Sequence, residues 1–456
     1  MRPARPARGR AGSLQGAGAT WFRSVPGTRH GNAPRGTPGR ADSLALAVAG
    51  PCRFNYLRGT ERLCTSASHT MSRPALLERA RVAAGWLAGG LLALGQASVA
   101  QNLPSETASL RPKGKIHLLG SEVAPGTRKR LTWTSGTAIE GFVSPVPVIV
   151  VNGKGPGPVL CLTGAVHGDE LNGIEVARRV LDDIDAEELN GAVIGVPIVN
   201  IQGFYRGTRY LPDRRDLNRH FPGNPHGSAA TRMAHSFFTE VVRHCSALID
   251  LHTGSLNRTN LPQVRADLRL PQVARMAQAF GATVVLQSAG DFGSLRRAAS
   301  EAGIPAVTFE MGEPMRVQPE QVEHGAKAIE TLMYSLGMTR QRRYWGDPEP
   351  VYYASQWVRV DHGGILFSDV NLGERVSEGE LLGVVTDPIS NKQHRIYAPA
   401  SGRVLGMALN QVVLPGFAAY RIGTATSKAE AARRTGAAEE PAEDVSPEDE
   451  EGPPRG

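Results

Sequence analysis

The sequence predicts an α/β protein, with a mixed or largely parallel sheet covered by helices on both faces and a small all-β domain after it. Two observations carry this. From about residue 155 to 336, apolar runs of strand length alternate with stretches of helical period, the pattern of sheets wrapped by helices. Near Asp347 the pattern changes. Residues 350–424 read as short strands with glycine turns, HGGILFSDVNLGERVSEGELLGVVTDP and HRIYAPASGRVLGMALN, and no helix.

The elements follow in order. GFVSPVPVIVVNG and PVLCLTG are strand-like. The second run leads into AVHGDE, and the helix LNGIEVARRVLDDI follows, with Ile174, Ala177, Leu181 and Ile184 expected on its buried face. AVIGVPIVN is the next strand. A long loop is expected over 201–226 and a helix over 229–244. ALIDLHTG is a strand; LPQVARMAQAF, ATVVLQS and GSLRRAASEAG give helix, strand and helix. PAVTFEMGE is the last strand of this unit and 319–336 its last helix.

At 456 residues the chain exceeds one hydrophobic core. The reading divides it into 1–70, 71–100, 101–345, 346–426 and 427–456. The formal charge of +8 is unevenly spread. Residues 1–100 hold 14 Lys+Arg against 3 Asp+Glu, and 427–456 hold 4 against 9, which leaves 33 against 31 in 101–426. The folded part is nearly neutral, so the charge gives no basis for nucleic-acid binding. The acidic tail EEPAEDVSPEDEEGPPRG lacks aromatics and is expected to pack nothing.

Residues 1–70 are Arg/Gly/Ala/Pro/Ser-rich and are also expected to hold no packed structure. From Met71 the chain reads as a secretory signal peptide. Arg73, Arg79 and Arg81 form its positive end, an apolar stretch runs from Val82 to Gly95, and Ser98-Val99-Ala100 offers a cleavage site. Met71 is therefore expected to be the true start; the rival is a transit-type N-terminus. The expected location is periplasmic or secreted, with cytoplasmic as the alternative. No second apolar segment reaches spanning length. Of four cysteines, Cys161 and Cys245 lie in apolar sequence and are expected to be buried small hydrophobes, not a disulfide framework or a zinc site.

In open α/β sheets, ligand sites form beyond the carboxyl ends of the strands. His167 and Glu170 follow one strand, His252 another, and Glu310 ends a third. Two imidazoles and a carboxylate, with a fourth position open for water, form the catalytic zinc arrangement, not the closed structural one. Asp250 shares a strand face with His252 and can hold its imidazole. Glu310 is the candidate general base. In the loop RGTRYLPDRRDLNRHFPG, Asn218 and Arg219 suit a substrate carboxylate and Arg209 a developing oxyanion. Any one of these groups alone is a common polar residue; their joint placement after three strands is not. A scaffold that had only kept the fold would need none of them.

GAVHGDELNG, RYLPDRRDLNRHFPG, LIDLHTG and VTFEMGE, in that order, resemble the succinylglutamate desuccinylase/aspartoacylase family, relatives of the zinc carboxypeptidases, over about residues 140–345. The resemblance implies a three-layer α/β/α zinc-carboxypeptidase-like sandwich. It implies one Zn2+ per chain on His167, Glu170 and His252, with Glu310 as base, Asn218 and Arg219 binding a substrate carboxylate, and Arg209 at the oxyanion. The implied activity is deacylation of a small N-acyl amino acid; the alternative is a zinc carboxypeptidase acting on peptides. The C-terminal part resembles a biotinyl/lipoyl-type β-sandwich without a carrier lysine, since Ala400-Ser401-Gly402 occupies that turn.

Overall fold

A computed structural model describes residues 114–135, 144–340, 350–425 and 427. They lie in one compact unit, 94–456. The expectations for 1–70, the signal peptide at 71–100 and the tail beyond 427 fall outside the described residues.

A small hairpin, β1 (Ile116–Leu118) and β2 (Ser121–Val123), opens the described chain. The central sheet begins with β3 (Thr127–Trp133), β4 (Val146–Asn152) and β5 (Gly155–Gly164). Then come α1 (Asn172–Asp183), β6 (Asn190–Val196), α2 (Ile201–Arg206), α3 (Ala229–Glu240) and β7 (Ala247–His252). After these lie β8 (Arg258–Ala266), α4 (Pro271–Ala277), β9 (Val284–Gln287), α5 (Leu295–Glu301), β10 (Ala306–Gly312) and α6 (Pro319–Ser335). The strands β6, β5, β7 and β10 are neighbours and mutually parallel. β4 joins β6 antiparallel on one side, and β8 joins β10 antiparallel on the other. This is the mixed sheet that the alternation predicts.

Strand geometry sends successive side chains to opposite faces. On β5, Val159 and Cys161 enter a core with Phe237 of α3 and Leu295 of α5. Leu160 and Leu162 enter a second core with Val176 of α1, Met276 of α4 and Ile329 of α6. Three layers result, and the carboxyl ends of β5, β7 and β10 share one edge.

Four local expectations need correcting. The buried face of α1 is Gly173, Val176, Ala177, Val180 and Leu181, with Ile174 only half-buried. Gly173 explains the rotation: a Cβ there would stand 2.7 Å from that of Leu251, so the helix seats on β7 at its glycine. The loop at 201–226 contains α2, capped by Asn200 Oδ1 accepting from Gly203 N (2.8 Å), and a 3-10 turn at Leu217–Arg219. β8 lies where no strand was expected, because polar residues break the apolar run RTNLPQVRA; Arg258, Asn260, Gln263 and Arg265 are all buried there. Lastly, Cys161 and Cys245 are not separate buried thiols. They form a disulfide, with Cα atoms 5.7 Å apart across 84 residues of sequence. Hydrogen bonds between Val159 and Ser246 in both directions hold the turn before β7 against β5.

The C-terminal part contains β11 (Val351–Tyr352), β12 (Ala354–Arg359), β13 (Gly364–Ser368), β14 (Arg375–Val376) and β15 (Leu381–Thr386). β16 (Gln393–Tyr397), β17 (Gly402–Ala408), β18 (Val412–Val413) and β19 (Ala418–Thr424) complete it. One layer is β16-β15-β13-β18 and the other β12-β19-β17, around Val360, Leu366, Leu382, Val404 and Tyr420. The second layer continues the central sheet. β17 pairs with β8 at Gly406↔Asn260, Met407↔Thr259 and Ala408↔Arg258, and β11 pairs with β9. One edge of β8 is thus shared by β9 at one end and β17 at the other.

Candidate metal centre

His167 lies in the turn between β5 and α1. Ala165 holds a left-handed backbone there (φ 45) and turns the chain out of the strand. Gly168 follows. A side chain at this position would collide with the backbone of Gly203 and Phe204 in α2, so close approach is what requires glycine. Asn172 then locks the start of α1: Nδ2 donates to Met311 O (2.9 Å) at the end of β10, and Oδ1 accepts from Gln318 N (2.8 Å). The turn is thereby fixed relative to Glu310. His252 is the last residue of β7 and the register partner of Glu310 across the parallel pair.

These elements bring His167, Glu170 and His252 together, all buried, with one donor atom from each within 4.8 Å of the others. Glu170 Oε1 lies 2.7 Å from His167 Nδ1, and its Oε2 lies 2.8 Å from His252 Nδ1. Both imidazoles turn their Nδ1 inward. Each Nε2 faces a buried carboxylate: Asp216 Oδ1 at 3.0 Å from His167 and Asp250 Oδ2 at 2.8 Å from His252. Such carboxylates accept the Nε2 proton, so that Nδ1 can offer its lone pair to a metal that displaces the proton there. The donor set therefore fits a single divalent ion, and two nitrogens with one carboxylate suit zinc.

The charges of the cluster are strongly coupled. Burial pushes Glu170 upward, but His167 and His252 hold its carboxyl far below the usual range. Burial and Arg209 lower His167, and Glu170 and Asp216 more than offset them, so its pKa is raised. Burial also opposes the charged form of His252, yet Asp250 and Glu170 lift it well above 6.5.

Arg209 stands at the ligand face, with Nη1 3.1 Å from His167 Nδ1 and 3.3 Å from Glu170 Oε1. Asp216 holds its Nε and Nη2 at 3.2 and 2.8 Å. Asn218 uses Oδ1 to accept from Leu295 N at the start of α5 (2.8 Å), so its amide nitrogen is the end left for a ligand. Arg219 pairs with Asp291 at 3.0 Å. Glu310 is gripped by Asn260 Nδ2 (3.1 Å) and Arg265 Nη1 (3.3 Å) from β8. His167, Glu170, Arg209, Asn218, Arg219, His252 and Glu310 all line one cavity of about 70 Å³.

Several lining or supporting residues escaped the sequence reading. Asp216 is the hub of the loop, joining His167, Arg209 and the backbone of Asn218. It lies in the DLNR run, of which only the last two residues were read chemically. Arg265 sits on the unforeseen β8 and Arg296 on α5. Trp357 and Arg421 come from β12 and β19, so the C-terminal part supplies a wall of the cavity. No local motif marks them. Asp250 contacts His252 as the shared strand face predicts.

The three layers and the His-Glu-His cluster define the class: an α/β/α fold around a cluster that could hold a metal ion. The solved structure of a succinylglutamate desuccinylase/aspartoacylase from Rhodobacter sphaeroides is similar at a TM-score of 0.59 and 24% identity, over 66% of this chain and 96% of that one. The product-bound ectoine utilization protein of Ruegeria pomeroyi gives 0.58 and 22%, over 70% and 98%. At these identities the likeness is one of fold. The family model for the succinylglutamate desuccinylase/aspartoacylase catalytic domain matches residues 156–336. N-alpha-acetyl-L-2,4-diaminobutyric acid deacetylase of Halomonas elongata is 30% identical over 254 residues, which is 53% of this chain and 74% of that protein. The chain belongs to the succinylglutamate desuccinylase/aspartoacylase family.

Proposed function

We propose that this protein is a zinc-dependent hydrolase of the C–N amide bond of an N-acyl amino acid. The observation that carries this is the pair of inward Nδ1 atoms flanking Glu170, each imidazole held from behind by its own carboxylate. His167, Glu170 and His252 would hold the ion, which supplies Lewis acidity toward the scissile carbonyl and lowers the pKa of water. Glu310 takes the proton of the attacking water and returns it to the leaving amine, while Asn260 and Arg265 hold its carboxylate in position. Asn218 and Arg219 hold the substrate carboxylate; for Arg219 this means exchanging the Asp291 carboxylate for that of the ligand. Arg209, fixed by Asp216, stabilises the charge that develops on the carbonyl oxygen. The charged lining of the cavity suits a small substrate that bears a carboxylate.

The test joins metal content to a substrate panel. Protein expressed from Met71 should carry about one zinc per chain, and His252→Ala should lose it. The zinc form should hydrolyse N-acetyl amino acids, including N-acetyl-2,4-diaminobutyrate, in preference to dipeptides. A preparation that stays empty in supplied zinc would remove the catalytic reading. Cleavage of peptides alone would convert it to a carboxypeptidase.

We also propose that the protein is exported. The signal-like run at 71–100 motivates this, and the Cys161–Cys245 disulfide supports it, because such bonds persist in oxidising compartments. Fractionation of cells expressing the chain from Met71 should place it outside the cytoplasm, with both cysteines resistant to alkylation. A cytoplasmic protein with two reactive thiols would refute export.

A further inference from the structure

The C-terminal part holds a second cavity, which amide hydrolysis as outlined above does not use. Its volume is about 240 Å³, and it shares no lining residue with the cavity at His167, Glu170 and His252. Strand alternation separates the two. On β12, Trp357 faces the metal cavity and Val358 the other one. The second cavity opens between two sheet edges. Among the described residues β12 pairs only with β19 and β16 only with β15, so each strand leaves its other side unpaired. The buried side chains of Val360, Val385 and Ile396 give the cavity an apolar floor.

The rest of the lining is mostly cationic. Arg359 lies on β12 at a shift of register with β19, and its Nη1 donates to Gly416 O (2.7 Å). Arg395 lies on β16. It is exposed, and its guanidinium makes no hydrogen bond or ion pair among the described residues. His362, in the turn after β12, stacks on His394 of β16, with ring centroids 3.6 Å apart and planes 7° from parallel. Asp361 is the only carboxylate in the lining. Two guanidinium groups therefore stand against one carboxylate even when both imidazoles are neutral. Such a field repels a cation. The lone pairs of parallel rings also fail to converge on one ion, and the stack belongs to no group of three ligating side chains among the described residues. An anion fits instead. The arginines and the ring N–H groups are donors, and a negative charge offsets the repulsion between two stacked rings that both carry a proton.

We propose that this cavity is a second, non-catalytic binding site for a small organic phosphate. The phosphate is held by Arg359, Arg395 and the imidazole pair, and the organic body lies on Val360, Val385 and Ile396. A phosphate brings three acceptor oxygens and close to two negative charges, so it can meet donors from both strands at once; a carboxylate brings two oxygens and one charge. The apolar floor, and a volume larger than that of the metal cavity, give the body its place. The site stands apart from the deacylase reading, because none of its residues belongs to the metal centre.

Isothermal titration of phenyl phosphate, inorganic phosphate and benzoate into the protein expressed from Met71 provides the test. Phenyl phosphate should bind with a Kd of about 1 mM or below, and about tenfold more tightly than either of the other two. The metal cavity also contains arginines, so variants at the second site decide where the ligand lies. Arg395→Gln and His394→Gln should each weaken phenyl phosphate by about tenfold, and Arg395→Lys should keep part of the affinity. Arg395 is exposed and unpaired, so its glutamine variant should melt at the wild-type temperature, which separates a lost ligand contact from a lost fold. No binding in the wild type would overturn the proposal. Wild-type affinity in both glutamine variants would overturn it too, by placing the ligand elsewhere. Benzoate as tight as phenyl phosphate would remove the phosphate from the assignment, and inorganic phosphate as tight would remove the organic body.

Discussion

At the residue scale, the groups that meet at the candidate metal centre were readable because each lies near the end of a strand or just beyond it. His167, His252 and Glu310 needed only the rule that sites gather at carboxyl ends. Asp216 and Arg265 were not readable, because their contacts are made across the fold and not with neighbours in sequence. The same holds for His324 on α6. Its Nε2 lies 3.1 Å from Thr283 Oγ1, and its ring packs on Phe309 at 6.3 Å between centroids. Burial, with Lys327 adding to it, lowers its pKa from 6.5 to about 4. The unfolded chain therefore binds this proton more readily than the folded one between those values. The associated stability is complete above pH 6.5 and falls as pH drops toward 4. His324→Gln should flatten part of that fall in a series of thermal melts across the interval; curves for variant and wild type that run parallel would assign the acid sensitivity elsewhere.

At the element scale, periodicity located the helices and the parallel strands but missed β8. A strand is recognised by apolar alternation, and β8 instead buries Arg258, Asn260, Gln263 and Arg265. These polar groups are there for the site and for the neighbouring layer. Asn260 and Arg265 hold Glu310, Gln263 Nε2 donates to Leu405 O (3.0 Å), and the Arg258 guanidinium lies 5.0 Å from the Trp357 ring centre. β8 is consequently unfinished without the C-terminal strands. Ending the chain before residue 350 should yield protein that aggregates and does not hydrolyse substrate, because Arg258–Asn260 would present an open, buried-type edge and the cavity would lose Trp357 and Arg421. A soluble, active truncation, checked by size exclusion and by turnover, would show the C-terminal part to be dispensable.

At the scale of the whole molecule, the described residues after the change of style near Asp347 hold strands and no helix. That change does not mark a break in hydrogen bonding, since one sheet of thirteen strands runs through the described residues. Composition reports where helices stop, but the pairing of β8 with β17 spans well over a hundred residues and leaves no local trace. The disulfide was hidden for the same reason. Its two halves are 84 residues apart, and cross-links that close long loops confine the unfolded chain most, by about 4.5 kcal/mol in the loop-entropy account.

The pairing of β17 with β8 also sets an order in time. As the chain emerges from its N-terminus, His167, Glu170, His252 and Glu310 are all made before the strand that closes the edge of β8 exists. A chain that folded as it was made would hold a half-built sheet, with polar groups of β8 still open to water and to other chains, until almost its last strand arrived. Such an intermediate is prone to associate with its own kind. A chain kept unfolded until it is complete, as export through a narrow channel would require, avoids that stage and begins folding with every strand present.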